Sequence, residues 1–309
     1  MADSDCFESV EESSSVGRGY ESDFSTRAYL ARQSAKQQQS KYSTKRPFFR
    51  TQPATIQQTI ASESSNQNSE QGSSKKLNIL SFNCKNLKTS GNFIRKMEKE
   101  IDIFLIQEHW LFHCELNMLS EIHDNIAGSG KAVDSDDPIS ASFMPRGFGG
   151  VAILWNKAID KYIKPITDGS TRIQCVELLT SKPTVIMSVY LPTKSTTDSK
   201  IIFDDCIDQL YEIVQKYKET HDIVIGGDFN EDIVKETNNS KRKIALLEFM
   251  KECKLTTNHK GPTFINTSGA DISEIYYFLH SNIELQPSKK ITDHPVNVSD
   301  HHPILLQMQ

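Results

Sequence analysis

Several polar side chains that could handle a metal ion and a proton stand at or just after the ends of apolar runs. They are carboxylates, carboxamides, a phenol and a histidine, at Asn83, Glu108, Tyr190, Asp228, Asn230, Asp300 and His301. Mg²⁺ prefers oxygen ligands, usually takes one or two carboxylates, and keeps water or phosphate oxygens for the rest. A histidine can give or take the proton of a reacting group. Each residue alone is typical of an ordinary turn or strand end, but together they indicate metal-assisted chemistry.

The apolar runs before these residues have the length and composition of buried strands. We predict strands over residues 77–83, 102–107, 149–155, 172–179, 184–192, 221–227, 274–280 and 302–308. Helical spacing of apolar residues predicts three helices, near 92–99, 200–217 and 243–252. Strands that both follow one another and alternate with helices favour an α/β (α+β) sandwich, with sheets inside and helices outside. Polar residues at the carboxyl ends of strands line the ligand crevice in such folds.

Two glycines precede Asp228 in the segment IGGDFN. We interpret Gly226 and Gly227 as a tight turn, because glycine reaches backbone conformations that other residues avoid. Such a turn would let the side chains of Asp228 and Asn230 point the same way.

Composition excludes several classes of protein. The 309 residues carry a formal net charge of -5, and their mean hydropathy is -0.47. No run of about 18 apolar residues could form a membrane span, and the acidic, serine-rich start of the chain is unlike a signal peptide. The six cysteines are scattered without a CxxC pair, which argues against a zinc site or a disulfide framework. We therefore expect a protein of the nucleus or cytoplasm that is neither secreted nor membrane-bound.

The chain divides at about residue 75. Residues 1–75 contain 16 Ser and 9 Gln with few apolar side chains, a composition typical of a disordered tail. Lys41–Arg50 combines four basic and three aromatic residues, which fits either a nuclear address or nucleic-acid contact, or a solvated linker. Residues 76–309 are predicted to form one folded domain.

Read in order, the segments resemble the endonuclease/exonuclease/phosphatase superfamily. The resemblance is carried by LSFNCKN, LIQEHW, GFGGVAILW, VYLPT, IVIGGDFN, PTF, SEIYYFLHS and SDHHPI. Within that superfamily the chain is most similar to the apurinic/apyrimidinic-like endonuclease domain of non-LTR retrotransposons. The resemblance implies a DNase-I-like, four-layer α/β/β/α sandwich that cleaves DNA with Mg²⁺ or Mn²⁺ and leaves a 3′-hydroxyl. It also implies an associated reverse transcriptase in full-length elements.

The resemblance also implies a role for each residue of the polar set. Glu108, with Asn83 beside it, would hold the metal, and Asp228 would orient and deprotonate the attacking water. Asn230 and Tyr190 would contact the phosphate. The last pair of the set would act on the transition state, His301 by stabilising its developing charge and Asp300 by supporting both the metal and the histidine.

One departure from the family concerns the partner of that histidine. The strand SEIYYFLHS usually carries an aspartate one residue before its tyrosine, but this chain has Tyr276 followed by Tyr277. A neutral phenol can orient an imidazole without stabilising imidazolium as a carboxylate does, so a reduced rate is expected. Glu274 lies two residues back, on the same face of a strand, and is a candidate substitute for the missing carboxylate.

Further departures bear on the substrate. Lys85 stands where repair enzymes often have an acidic residue, which disfavours a repair enzyme and a two-metal scheme. The chain ends soon after the SDHHP segment, so we expect a truncated element, a fragment or a domesticated domain. The folded part carries the whole negative charge, although Lys241–Lys243, Lys289–Lys290 and Arg146 are candidate basic patches for DNA phosphates.

Three functions are therefore weighed from the sequence. The first is a Mg²⁺-dependent endonuclease. The second is a DNA-binding domain of the same fold without turnover, which the tyrosine substitution favours. The third, a phosphatase or phosphodiesterase of the same superfamily, is disfavoured because no basic substrate motif accompanies SDHHP.

Overall fold

Two six-stranded β-sheets form the centre of this computed structural model and carry helices on their outer faces. The structure describes residues 76–136, 139, 147–194, 199–236, 239–258, 261–265, 271–282, 288–291 and 295–308. All of them belong to one compact unit. The predicted tail over residues 1–75 lies outside the described residues and stays a prediction, as does its basic segment.

The first sheet carries Asn83 and Glu108. Its strands are β1 (Leu77–Asn83), β2 (Ile103–Gln107), β3 (Ile126–Lys131), β4 (Val151–Asn156), β13 (Ser288–Ile291) and β14 (Ile304–Met308). They are ordered β13-β14-β1-β2-β4-β3 from edge to edge. Only β1 and β2 run parallel among these neighbours, which places the residues that end them at the same edge.

The second sheet carries Asp228 at its centre. Its strands are β5 (Ile163–Ser170), β6 (Ile173–Leu178), β7 (Thr184–Tyr190), β8 (Asp222–Asp228), β9 (Thr256–Thr257) and β12 (Tyr276–His280). The order is β5-β6-β7-β8-β12-β9, with β7 and β8 parallel. A separate two-stranded hairpin consists of β10 (Phe264–Ile265) and β11 (Asp271–Ser273).

Four α-helices are present in the described part of the chain: α1 (Leu87–Met97), α2 (Met118–Glu121), α3 (Ser199–Tyr217) and α4 (Lys241–Glu252). Short 3₁₀ turns occur at His113–Glu115 and Lys157–Tyr162. Side-chain caps begin two of the helices: Asn86 accepts from the amide of Lys88 at α1, and Ser240 accepts from that of Lys243 at α4. None of these helices is both long and apolar enough to cross a membrane.

Apolar residues form three clusters, one for each contact between layers. The inner cluster joins the two sheets and includes Ile79, Leu105 and Phe278. A second cluster packs α1 and α2 on the first sheet, and a third packs α3 and α4 on the second sheet. Both faces of the central strands are therefore buried, since successive side chains of a strand point to opposite faces. The predicted four-layer α/β/β/α sandwich is confirmed.

The glycines before Asp228 do not form the predicted turn, because β8 continues to Asp228. A β-carbon on Gly227 would lie 2.0 Å from the carbonyl oxygen of Val189, and one on Gly226 would lie 2.5 Å from Leu105. Gly227 therefore permits close approach of β7, and Gly226 permits close packing of the two sheets. These contacts, rather than a change of chain direction, require glycine.

Candidate active site

The polar residues predicted from the sequence meet where the central strands of both sheets end. Asn83 closes β1 and pairs with Gln107 of the parallel strand β2, so Glu108 follows at the same edge. Asp228 closes β8 and lies between Tyr190 of β7 and Tyr276 of β12 in the sheet register. Parallel neighbours that end together bring these side chains into one cleft.

The amide of Asn83 connects the two carboxylates of the cleft. Its Nδ2 donates to Glu108 Oε1 at 2.7 Å and to Asp228 Oδ2 at 3.1 Å. Asn83 is buried, and its Oδ1 accepts from the backbone amide of Lys85 at 3.2 Å. Two acidic groups from different sheets are thus held around a single side chain.

Glu108 is fixed by its backbone as well as by its partners. It has a positive φ of 54°, a conformation that costs energy in a residue other than glycine. The indole Nε1 of Trp110 donates to Glu108 Oε2 at 3.1 Å. Both carboxylate oxygens of Glu108 therefore have a hydrogen-bond donor, and the strained backbone aims the side chain into the cleft.

The carboxylate of Asp228 accepts hydrogen bonds from three sides. Besides Asn83, the backbone amide of Asn230 donates to Oδ1 at 3.0 Å, and the hydroxyl of Tyr276 donates to Oδ2 at 2.9 Å. The side-chain nitrogen of Asn230, Nδ2, donates to the carbonyl of Leu191 at 2.7 Å, which fixes the loop after β7. Asn230 also has a positive φ, 49°, so it lies on a strained loop that begins directly after Asp228 ends β8.

His301 reaches this cluster through Tyr276. The tyrosine hydroxyl lies 2.8 Å from His301 Nδ1, and His301 Nε2 lies 3.2 Å from Asp300 Oδ1. The other carboxylate oxygen of Asp300 pairs with Lys85 Nζ at 2.5 Å. Lys85 is thus the cationic partner of Asp300.

The loop before His301 is tied to the first sheet. Ser299 Oγ donates to the carbonyl of Asn83 at 2.8 Å, and Asn297 Nδ2 donates to the carbonyl of His301 at 2.9 Å. His301 also forms a β-bridge with Phe264. These contacts hold the backbone of His301 independently of the partners of its imidazole.

Tyr190 lies at the rim of the cleft with a residue that the sequence analysis did not select. The guanidinium of Arg172 lies 5.2 Å from the centre of the Tyr190 ring, and its Nη1 donates to the Tyr190 carbonyl at 3.3 Å. No motif marks Arg172, because the turn between β5 and β6 aligns it only in three dimensions. A phenol and a guanidinium side by side can both contact a phosphate.

Burial dominates the electrostatics of the cluster. It raises the pKa of Asp228 to about 7, and although the hydrogen bond from Asn83 opposes this shift, the nearby charge of Glu108 adds to it. Burial lowers the pKa of His301 to about 4, where Asp300 opposes the shift and Lys85 strengthens it. A cation beside Asp228 and Glu108 would relieve their repulsion.

The donor set fits a magnesium-type ion. Glu108 supplies one carboxylate, within the one or two that Mg²⁺ usually takes from a protein, and substrate phosphate and water would complete its shell. Within the described residues no group of three or more His, Cys, Asp or Glu side chains could hold a metal. Asn83 lies between the carboxylates, and a half-turn of its amide would direct the oxygen to a bound metal in place of the two hydrogen bonds that its nitrogen donates.

Two other expectations from the sequence are changed by the structure. Glu274 does not reach His301 Nδ1, whose partner is Tyr276. Its carboxylate accepts from the amide of Gly261 at 3.2 Å instead. His109, for which the sequence by itself indicates only a surface or loop position, is fully buried, and its Nε2 lies 3.1 Å from the Lys131 carbonyl. Burial lowers the pKa of His109 to about 4.

Comparisons with known proteins bear on this site. The sequence model of a family described as endonuclease-reverse transcriptase matches residues 184–305, a segment that includes Tyr190, Asp228, Asn230, Asp300 and His301. Among curated protein sequences none matches the chain.

Solved structures share the fold at low sequence identity. The endonuclease domain of TRAS1, a telomere-specific non-LTR retrotransposon, has a TM-score of 0.55 and 16% identity, over 76% of this chain and 99% of its own. The AP endonuclease LMAP from Leishmania major has a TM-score of 0.60 and 15% identity, and the match covers 76% of this chain and 88% of that one. The 3′ phosphatase NExo from Neisseria, bound to a product DNA hairpin, has a TM-score of 0.55 and 14% identity, and the match covers 75% of this chain and 99% of that one. The resemblance predicted from the sequence, to the endonuclease/exonuclease/phosphatase superfamily and to the endonuclease domain of non-LTR retrotransposons, is therefore confirmed.

Proposed function

We propose that the chain is a retrotransposon-derived endonuclease that hydrolyses DNA phosphodiester bonds with the help of Mg²⁺ or Mn²⁺. The observation that carries the proposal is the convergence of Glu108 and Asp228 on Asn83, with His301 linked to the same cluster. The match of residues 184–305 to an endonuclease-reverse transcriptase family supports this assignment.

Glu108 and Asn83 would hold the metal ion, which when bound supplies positive charge to the oxygens of the scissile phosphate. The carboxylate of Asp228 would align the attacking water and take its proton. In the metal-free protein, burial raises the pKa of Asp228 to about 7, so its carboxylate is there a stronger base than an exposed one. Asn230 would contact the phosphate from the loop that its own side chain holds in place.

The remaining residues would act on the developing charge. Tyr190 would donate to a phosphate oxygen at the rim of the cleft, and we add Arg172 to this contact because it stacks on the same ring. His301, once protonated, would stabilise the charge of the transition state, and Asp300, paired with Lys85, lies 3.2 Å from its Nε2 on the side opposite Tyr276. Donors that are already in position before the reaction begins can stabilise the transition state without first having to reorganise.

The proposed substrate and product follow from the family. Cleavage would leave a 3′-hydroxyl, the end that a reverse transcriptase extends, which fits the reverse transcriptase in the family description. A DNA substrate would place the protein in the nucleus or cytoplasm. Of the candidate basic patches, Lys241–Lys243 begins α4, while Arg146 and the side chains of Lys289–Lys290 lie outside what the structure describes.

Nicking of supercoiled plasmid by the full chain tests the proposal. We expect Mg²⁺-dependent nicks in the native protein and a loss of about 10³-fold or more in Asp228→Asn, the scale of losing a general base and its alignment. Asp222→Asn is the matched control, because Asp222 begins the same strand, is similarly buried and bonds to Lys182 and Asn282 at the end remote from the cleft. Equal nicking by the native chain and Asp228→Asn would refute the assignment.

A second candidate function is DNA binding without turnover, and Tyr276 is the observation that favours it. The family's carboxylate beside the histidine is replaced by a phenol, which carries no charge to stabilise imidazolium. This candidate predicts that the native chain and Asp228→Asn bind duplex DNA equally and that neither nicks it. Metal-dependent nicking that Asp228→Asn abolishes would exclude it.

A further inference from the structure

Tyr276 stands where the family resemblance leads us to expect an aspartate, yet it is built into the site. It is fully buried between the two sheets and lies opposite Asp228 in the register of β12 and β8. Its backbone amide donates to Thr263 Oγ1 at 3.2 Å, which anchors the start of the strand. The backbone of Tyr276 is therefore fixed by the sheet, and its ring is packed in the cluster between the two sheets.

The hydroxyl of Tyr276 contacts both of the groups that would handle protons. It donates to Asp228 Oδ2 at 2.9 Å and lies 2.8 Å from His301 Nδ1. A phenol has one proton and can also accept, so once its proton serves Asp228, the oxygen can accept from the imidazole. A single side chain thus connects the carboxylate of one strand end to the histidine of another loop.

The position of His301 fits a tyrosine and not an aspartate. The hydroxyl of a tyrosine lies further from the backbone than an aspartate carboxylate by about the width of a benzene ring, and His301 Nδ1 is at bonding distance from that hydroxyl. The backbone of His301 is held separately, by Asn297, Ser299 and the bridge to Phe264. An aspartate at position 276 would therefore fall short of the imidazole and leave a cavity behind it.

From this geometry we propose that Tyr276 is a positioning residue, whose hydroxyl fixes Asp228 and His301 relative to each other, and that the site is arranged around this tyrosine. The proposal rests on the proposed function for its consequence in catalysis, but the contact itself belongs to the folded protein. The family's aspartate restored at this position would then give no gain in rate.

Plasmid nicking by the full chain tests the consequence. Tyr276→Phe keeps the ring and removes the hydroxyl, and we expect kcat to fall about 10- to 100-fold, the scale of hydrogen bonds to a charged group, with KM nearly unchanged. Tyr276→Asp should nick no faster than the native chain. In Tyr276→Phe combined with His301→Ala, the loss should be smaller than the product of the two single losses, because part of the effect of the tyrosine acts through the histidine.

Tyr277→Phe is the matched control. Tyr277 is the next residue of the strand, is equally buried, faces the opposite layer, and uses its hydroxyl to bond the carbonyl of Glu274 and the amide of Ile233. It should lose stability without a comparable loss of kcat. Faster nicking by Tyr276→Asp, unchanged nicking by Tyr276→Phe, or an equal fall of kcat in Tyr277→Phe would each overturn the proposal.

A second readout does not depend on activity. The ¹⁵N signals of the His301 ring, recorded by NMR on the metal-free protein, should shift in Tyr276→Phe and stay in place in Tyr277→Phe. If the native chain cuts no DNA while this shift is present, the proposed function fails and the positioning role stands. Ring signals that are identical in the native chain and Tyr276→Phe would overturn the positioning role, whatever the nicking assay shows.

Discussion

Single hydrogen bonds decide where each carboxylate of the cleft points. Asp228 and Glu108 together accept from one amide side chain, one backbone amide, one phenol and one indole. Such partners hold an acidic group ready for a cation or a water, and their loss typically weakens metal binding by about 10- to 100-fold. The indole of Trp110 is the simplest of these contacts to remove, since tyrosine and asparagine each serve two groups.

We predict that Trp110→Phe raises the Mg²⁺ concentration needed for half-maximal nicking by about 10-fold. The reason is that Glu108 Oε2 loses its donor at 3.1 Å while the ring volume is largely kept. Trp155→Phe is a matched control, because Trp155 Nε1 donates to Asp160 Oδ1 at 2.8 Å on the far end of β4. A nicking rate measured against Mg²⁺ concentration checks this. The same concentration dependence in both variants would show that the indole of Trp110 does not support the metal site.

At the scale of elements, hydrophobic runs predicted the central strands because both of their faces are buried. β1, β2, β7 and β8 all fall within one or two residues of the predicted bounds. β3 and β5 were missed, since IAGSGK and IKPITDGS contain glycine, proline and polar residues that disfavour strands in isolation. Gly128 of β3 has a packing reason, as a β-carbon there would lie 2.4 Å from Leu154. That reason is visible only in three dimensions.

The site was predictable to the same extent. Order along the chain, together with the family resemblance, selected the seven polar residues that the structure brings to one edge. The bridge formed by Tyr276, the stacking of Arg172 on Tyr190 and the burial of His109 depend on contacts between distant segments, which spacing along the chain does not encode. Glu274 shows the converse. Its spacing along a predicted strand indicated a contact with His301, but its carboxylate accepts from the amide of Gly261 instead.

Two glycines beside the site should respond to alanine in opposite directions. Gly91→Ala should raise the free energy of unfolding by about 0.5–1 kcal/mol, because alanine favours the helix and its β-carbon would meet only Arg95, at 3.8 Å. Gly150→Ala should lower it by about 2 kcal/mol or more, because Gly150 has a φ of 83° and a β-carbon would lie 2.4 Å from the His109 ring. Denaturant unfolding of both variants checks this, and a stable Gly150→Ala would mean that His109 can move.

At the scale of the whole molecule, the buried carboxylates of the cleft lower the stability of the folded protein. Four layers bury both sheets, and the central strand β8 ends with a carboxylate that is 1% exposed and faces a second one. Burying a charge costs free energy unless it is fully compensated. Native proteins often tolerate such a cost at sites of function. The stability of the metal-free protein should therefore improve when that charge is removed.

We predict that Asp228→Asn, the variant expected to lose nicking, is the more stable protein at pH 8 by about 2 kcal/mol. The folded pKa of Asp228 is raised from 3.8 to about 7, so the folded state holds its proton more tightly than the unfolded state does. Its ionisation therefore destabilises the fold as pH rises through 7, whereas below about pH 4 both states are protonated and the cost is absent. A tenfold difference in proton affinity between the folded and unfolded states corresponds to about 1.4 kcal/mol, and imperfect hydrogen bonding by the new amide offsets part of the total. The contributions of His109 and His301 cancel in the difference between native protein and variant.

Urea unfolding of both proteins in chelator, from pH 8 to pH 5, should show that the stability advantage of the variant shrinks as pH falls. An advantage that is constant with pH would mean that Asp228 is ionised without cost in the folded protein, and the raised basicity assigned to it in catalysis would have to be abandoned.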